Sequence, residues 1–349
     1  MTKSDIGSAT NVYREFQPQS FGSRAIALSA IRSLVAITLC LKVGCFPVDA
    51  IPTQEAIAPR RFVDWCLNQA KLPSQTRHTV AVLLHIAGTQ DCKQADNILS
   101  SSTDLYLDSN RITDIKPLSS LTNLTFLILD NNQIADIKPL SSLTNLTFLG
   151  LGRNQITDIK PLSSLTKLYS LDLDRNQITD IKPLSSLTKL FSLDLDSNQI
   201  ADIKPLSSLT NLTSLVLSSN RITDIKPLSS LTNLTSLVLS SNQIADIKPL
   251  SSLTNLTFLA LDNNQIADIK PLSSLTTKLL FLDLSRNQIT DIKALSSLTN
   301  LTTLDLNRNQ ITDIKPLSSL IKLNDLRLEG NQTLTNKTCP VNPESICNF

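Results

Sequence analysis

The chain has 349 residues, with 32 basic and 30 acidic side chains, 41% hydrophobic and 4% aromatic residues. A formal charge of +2 gives no general electrostatic pull toward nucleic acid or an anionic membrane surface, so neither is expected as a partner.

Lys3, Arg14, Arg24 and Arg32 precede an apolar stretch from Ser33 to Leu41, and Val48-Asp49-Ala50 supplies small residues at a cleavage site. Residues 1–50 are therefore expected to be a signal peptide with a long basic lead. The apolar stretch is too short, and too interrupted by Arg32 and Lys42, for a membrane span. Leu41 to Cys45 faintly matches a lipoprotein box, but Lys42 stands where a small or aliphatic residue is wanted. Without residues 1–50 the chain carries 27 basic and 27 acidic side chains and four cysteines. Cys66 and Cys92 flank a helical segment, and Cys339 and Cys347 flank the C-terminal one. Even pairs at both ends point to disulfide staples and, with the signal segment, to a secreted or periplasmic protein. A zinc site would need ligands drawn from opposite ends of the chain.

Residues 51–98 read as a helical N-terminal cap. Pro59 to Lys71 and Ser74 to Ala87 are two predicted helices, with apolar stripes of Phe62, Trp65, Cys66 and Ala70, and of Val80, Val82, Leu83, Leu84 and Ile86. Gly88 ends the second. Trp65 is read as cap core.

From residue 99 to 335 a unit of 22 residues repeats eleven times, its register marked by a column of asparagines from Asn110 to Asn331. One step, Asn264 to Asn287, is a residue longer, because Thr276 to Leu279 holds an insertion. Within a unit, Leu127-Ile128-Leu129 alternates buried and outward residues, the signature of a short half-buried strand. Asn132, Asn154, Asn176, Asn198, Asn220, Asn242 and Asn264 follow the strands and are expected to form an interior ladder, their amides satisfying backbone groups of adjacent coils. Ile134 and Ile137 point inward, Asp136 and Lys138 outward, and Pro139 starts a turn closed by Leu140 and Leu143. So short a return, containing a proline, favours a 3₁₀ turn. Lys116 to Lys315 and Asp114 to Asp313 recur together as a mixed-charge outer ladder. Residues 336–349, with Cys339 and Cys347, read as a loop that caps the last coil.

The pattern L-x-x-L-x-L-x-x-N, as in Leu124, Leu127, Leu129 and Asn132, resembles the leucine-rich repeat, in its bacterial internalin-like subclass of 22-residue units. The fold class expected is an α/β leucine-rich repeat solenoid: a concave parallel β-sheet, a 3₁₀ or irregular convex side, and caps at both ends. The resemblance implies a bacterial surface or secreted protein whose concave face grips a protein. Related repeats in intracellular phosphatase regulators supply the alternative, a regulatory or scaffold subunit; the signal segment and paired cysteines disfavour it.

Positions fixed in every coil are explained by coil geometry, so recognition is sought where the coils differ. Those positions mark an aromatic start at Phe126 and Phe148, and an acidic zone at Asp172, Asp174, Asp194 and Asp196 edged by Arg153 and Arg175. Tyr169 and Phe191 add rings beside it, and a second zone holds Phe258, Phe281, Asp283, Asp305 and Arg308. Rings, arginines and a polar rim are the composition of a protein interface. The expectation is a non-catalytic, monomeric recognition module without cofactor, binding a protein or glycan. An enzyme reading rests on Asp172 and Asp194 lying ~4.8 Å apart on adjacent strands. Against it, a repeat sheet produces that spacing automatically, no enclosing pocket is expected to raise a carboxyl pKa, and His78 and His85 lie in the cap. Calcium shared among the four aspartates is an accessory reading, opposed by neutralisation from Arg153 and Arg175.

Overall fold

The computed structural model describes residues 61–349; the expected signal peptide, residues 1–50, and the first residues of the expected cap lie outside them. Three helices open this body: α1 (Phe62–Leu67), α2 (Ser74–Ala87) and α3 (Cys92–Ser101). Helix α2 ends where Gly88 adopts a left-handed backbone, φ 66°. Helix α3 was not expected. Asp91 starts it by accepting the Lys93 and Gln94 N–H groups at 2.9 Å, and it runs across the expected boundary at residue 98. The Cys66–Cys92 disulfide joins α1 to α3, and Arg61 pairs with buried Asp96. Trp65 packs partly buried against the core. Helix α2 lies on the first coil, where Thr79 Oγ1 donates to the Asp114 carbonyl at 2.7 Å and His78 Nε2 sits 2.7 Å from the Asn110 carbonyl.

Among the described residues one parallel sheet of twelve strands runs in chain order. The strands are β1 (Asp104–Tyr106), β2 (Phe126–Ile128), β3 (Phe148–Gly150), β4 (Ser170–Asp172), β5 (Ser192–Asp194), β6 (Ser214–Val216), β7 (Ser236–Val238), β8 (Phe258–Ala260), β9 (Phe281–Asp283), β10 (Thr303–Asp305), β11 (Asp325–Arg327) and β12 (Cys347–Asn348). Register is in step from coil to coil: Phe126 pairs with Phe148, Leu127 with Leu149, Ile128 with Gly150. Identical repeat positions therefore become neighbours, and the central strand leucines stack into a core in which Leu127, Leu149 and Leu171 are fully buried. One coil cannot bury its leucines alone; the stack does so collectively.

The asparagine column closes the backbone bookkeeping. Asn198 Oδ1 accepts from the Ile178 N–H at 3.0 Å, while its Nδ2 donates to the carbonyls of Leu173 at 3.0 Å, Asp196 at 3.1 Å and Leu195 at 3.2 Å. The same contacts recur at Asn132, Asn154, Asn176, Asn220, Asn242 and Asn264. Two further ladders were not anticipated. Ser164 Oγ donates to the Ser141 carbonyl at 3.0 Å, and Asn145 Nδ2 to the Thr122 carbonyl at 2.9 Å, each one coil back.

The return side is a stack of 3₁₀ turns such as Lys138–Ser142. Asp136 does more than solvate it: its Oδ1 accepts the Lys138 N–H at 2.8 Å and holds the start of the turn, a contact repeated in the outer aspartates. Proline helps but is not required, since Lys293–Ser297 forms the same turn with Ala294 in its place. At the C-terminal end the expected loop also contributes a strand: β12 pairs with β11, and the Leu328 N–H donates to the Asn348 carbonyl at 2.7 Å. A disulfide between Cys339 and Cys347 closes that segment, so the last edge is covered by the chain itself.

Candidate recognition surface

In-register pairing turns aromatic repeats into stacks. Phe126 and Phe148 lie with ring centroids 4.3 Å apart and planes 14° apart, and Tyr106 tilts against Phe126 at 5.4 Å. Phe258 and Phe281 stack at 4.2 Å and 2°. These rings are half-buried, except exposed Tyr106, and belong to the column at or beside the strand's outward positions. Tyr169 and Phe191 also stack, at 4.9 Å and 7°, but stand one residue ahead of β4 and β5, at the margin of the sheet. There they line a shallow hollow with Lys189, Asn211, Thr213 and Asn233.

The aspartates at the strand ends have a backbone duty that the sequence reading missed. Asp172 Oδ1 accepts the Asp174 N–H at 2.8 Å, Asp194 that of Asp196 at 2.9 Å, Asp283 that of Ser285 at 2.9 Å, and Asp305 that of Asn307 at 2.9 Å. Each pins the turn after its strand. Coil three lacks this aspartate because Gly150 occupies the position. Asp130 of the preceding coil accepts the Gly152 N–H instead, at 2.8 Å. The last coil repeats the solution, with Asn307 accepting the Glu329 N–H at 2.7 Å where Arg327 has replaced the aspartate.

These carboxylates are crowded and partly removed from water. Burial pushes Asp172 up from 3.8 to about 8, against the Asp174 backbone N–H, with the charges of Asp194, Asp174 and Asp130 adding to the rise. Burial likewise raises Asp194 and Asp130 to about 6 each. Asp174 is raised by burial too, but Arg153 and Arg175 pull it back; their Nε atoms lie 3.9 and 3.5 Å from its Oδ2. Burial raises Asp283 to about 6 and also lifts Asp305. This corrects the expectation that nothing would raise a carboxyl pKa here. No closed pocket is needed, because neighbouring side chains on a stacked sheet desolvate one another and place like charges a coil apart.

Arg153, Arg175 and Arg308 share another property hidden from composition. Each precedes a ladder asparagine and has a left-handed backbone, with φ of 56°, 49° and 55°. They are turn residues as well as charges. In the second zone Arg327, not among the expected residues, is the cation that pairs, at 2.7 Å from Asp325 and 3.4 Å from Asp305. The structure thus brings together Phe126 with Phe148, Asp172, Asp174 and Asp194 with Arg153 and Arg175, and Phe258 with Phe281 and Asp283. Asp196 faces its own turn, taking a bond from Ser197 Oγ at 2.9 Å. Among the described residues no three histidines, cysteines or carboxylates converge as a metal site, so the calcium reading finds no ligand set.

A family model of leucine-rich repeats matches residues 103–142, 144–186, 188–230, 232–274, 277–319 and 299–338. No curated protein sequence matches the chain. Among solved structures, the internalin InlF of Listeria monocytogenes is 32% identical, covering 80% of this chain and 97% of its own, with a TM-score of 0.51. Internalin C2 of the same organism is 38% identical over 58% of this chain and 91% of its own, TM-score 0.55. A plant peptide hormone receptor, RGFR1, solved in complex with RGF2, is 26% identical over 67% of this chain and 41% of its own, TM-score 0.58. With eleven in-register coils, the asparagine ladder and these matches, the chain belongs to the leucine-rich repeat family, in its bacterial internalin-like branch.

Proposed function

We propose that this protein is an exported, non-catalytic recognition module that binds a protein or glycan partner through the concave face of its sheet, as a monomer and without a cofactor. The observation that carries the reading is the set of stacked, solvent-reaching ring pairs, Phe126–Phe148 and Phe258–Phe281, placed beside desolvated aspartates on an otherwise repetitive face. Rigid aromatics bind at little entropic cost, and a solenoid presents them preformed. The carboxylates with raised pKa are occupied in holding turn backbone on an open surface, which favours binding over catalysis. Residues 1–50 act as the export signal, ahead of a helical cap, the repeats and a C-terminal cap. Two cystines suit an oxidising compartment and disfavour the phosphatase-regulator alternative. Among the described residues no helix is long and apolar enough to cross a membrane.

The test is capture with the immobilised full chain from extracellular proteins and on a glycan array, comparing wild type with Phe126→Ala/Phe148→Ala, Phe258→Ala/Phe281→Ala and the outer-side variant Lys226→Ala. Loss of ligand with either concave pair, and retention with Lys226→Ala, supports the reading. Ligands retained by both concave pairs and lost by Lys226→Ala would sink it.

A further inference from the structure

The acidic zone is built around a gap in the side-chain lattice. Gly150 and Gly152 remove two side chains from the third coil, and carboxylates from either side lean into the space. A Cβ on Gly150 would meet Asp130 Oδ1 at 2.8 Å, and one on Gly152 would collide with Asp174 Oδ1 and meet Asp172 Oδ1 at 3.3 Å. Carboxylates of the second and fourth coils are thereby drawn together over the backbone of the third, with Asp194 next in register to Asp172. Both arginines at the rim pair with Asp174, and no ion pair reaches Asp130, Asp172 or Asp194 among the described residues. Beside this patch lies an orphan. Ser170, on the same strand and face as Asp172, is only 6% exposed, and its Oγ has no hydrogen-bond partner. A buried hydroxyl left unpaired is costly and marks a place where a polar group is wanted. Its register partner on β3 is Phe148, the end of the three-ring stack that begins at Tyr106.

We propose that this patch seats a lysine or arginine side chain presented by the protein partner, its stem along Phe148 and its cationic head among Asp172, Asp194 and Asp130. The proposal rests on the concave-face reading and names the chemistry of what that face receives. Charge complementarity selects the occupant: three carboxylates without an ion-paired cation, at the edge of an aromatic platform, match a cation carried on an apolar stem. Burial, which raises all three carboxyls, shows that water alone solvates their charges poorly. The N–H donors of the incoming head also offer the Ser170 hydroxyl a partner.

The test is calorimetric titration of the full chain at low salt with hexalysine and hexa-arginine, against hexaglutamate, calcium chloride alone and a glucosamine oligomer. Hexalysine or hexa-arginine is expected to bind. Asp172→Asn/Asp194→Asn should weaken that binding by about tenfold or more. Phe148→Ala should weaken it several-fold, while Asp136→Asn, on the outer side, leaves it unchanged. Asparagine keeps an Oδ1 to accept the Asp174 and Asp196 N–H groups, and an unlowered melting temperature confirms that the double variant is folded. No binding of either basic peptide, equal binding by the double variant, or binding of calcium or the amino sugar alone at these aspartates overturns the proposal. If Phe126→Ala/Phe148→Ala still abolishes capture of the natural ligand in that event, the concave reading stands and only the basic seat falls. If capture is also indifferent to both concave pairs, both fall.

Discussion

Asp172→Asn should make the protein more stable at neutral pH, because it removes a charge that folding forces into crowded, poorly hydrated surroundings. In the unfolded chain the carboxyl titrates near 3.8; in the fold it is pushed up to about 8. A raised carboxyl pKa means that the folded state holds the proton more tightly. The stabilisation from this group is fully present below about pH 3.8 and is lost progressively as pH rises toward 8. At pH 7 the difference is worth about 4 kcal/mol, and screening by water on the open face reduces it to about 2–4 kcal/mol. Asparagine mimics the protonated acid and retains the acceptor for the Asp174 N–H, so little else should change. Denaturant unfolding of both proteins between pH 4 and 9 is the assay. The two curves should nearly coincide at the acid end and separate as pH rises, the variant being the more stable. A variant no more stable than wild type at pH 7, or a gap that does not grow with pH, would refute the assignment of Asp172 as a desolvated, charge-crowded group.

Asn198→Ala should cost about 2–3 kcal/mol in chemical denaturation, since it orphans the buried Ile178 N–H and takes one of two donors from the Leu173 and Leu195 carbonyls, which Asn176 and Asn220 still serve; a loss under about 1 kcal/mol would mean the ladder carries little. Leu217→Asp places a charge at a fully buried position and should uncouple the stack at that coil, costing about 4 kcal/mol or more, whereas exposed Lys226→Ala should stay within about 0.5 kcal/mol; equal melting losses would contradict the register. Cys66→Ser/Cys92→Ser opens a loop between cysteines 26 residues apart and should cost about 3 kcal/mol, with hydrogen exchange rising in the N-terminal helices first. Uniform exchange across all coils would instead argue that this staple has no local role.

The architecture was legible because eleven copies of one pattern average away local ambiguity: a single Leu127-Ile128-Leu129 is weak evidence for a strand, but its recurrence at a fixed interval before an asparagine is not. What escaped was whatever depends on the unrepeated parts or on relations between coils. Helix α3 is short and largely polar, with Ala95 and Leu99 its buried apolar residues, and its start depends on Asp91 capping two backbone N–H groups. Strand β12 consists of two residues and exists because β11 offers it an edge. At the candidate surface, the columns containing Phe126, Asp172 and Arg153 could be read, but the work of Asp130 could not. Its importance comes from glycines in the next coil, twenty and twenty-two residues away, whose missing side chains invite its carboxylate across. The left-handed backbone beneath Arg153 and Arg175 was hidden for the same reason: a column of arginine, serine and asparagine advertises charge variation rather than a common turn.

The most direct measurement is photo-crosslinking from defined positions. A photoreactive amino acid is placed in the full chain at position 126, 148 or 281 on the concave side, or at 226 on the outer side, and each protein is irradiated with the captured partner. Adducts from the three concave positions and none from 226 are expected. Adducts from 226 alone, with silent concave positions, would contradict the assignment of the binding face.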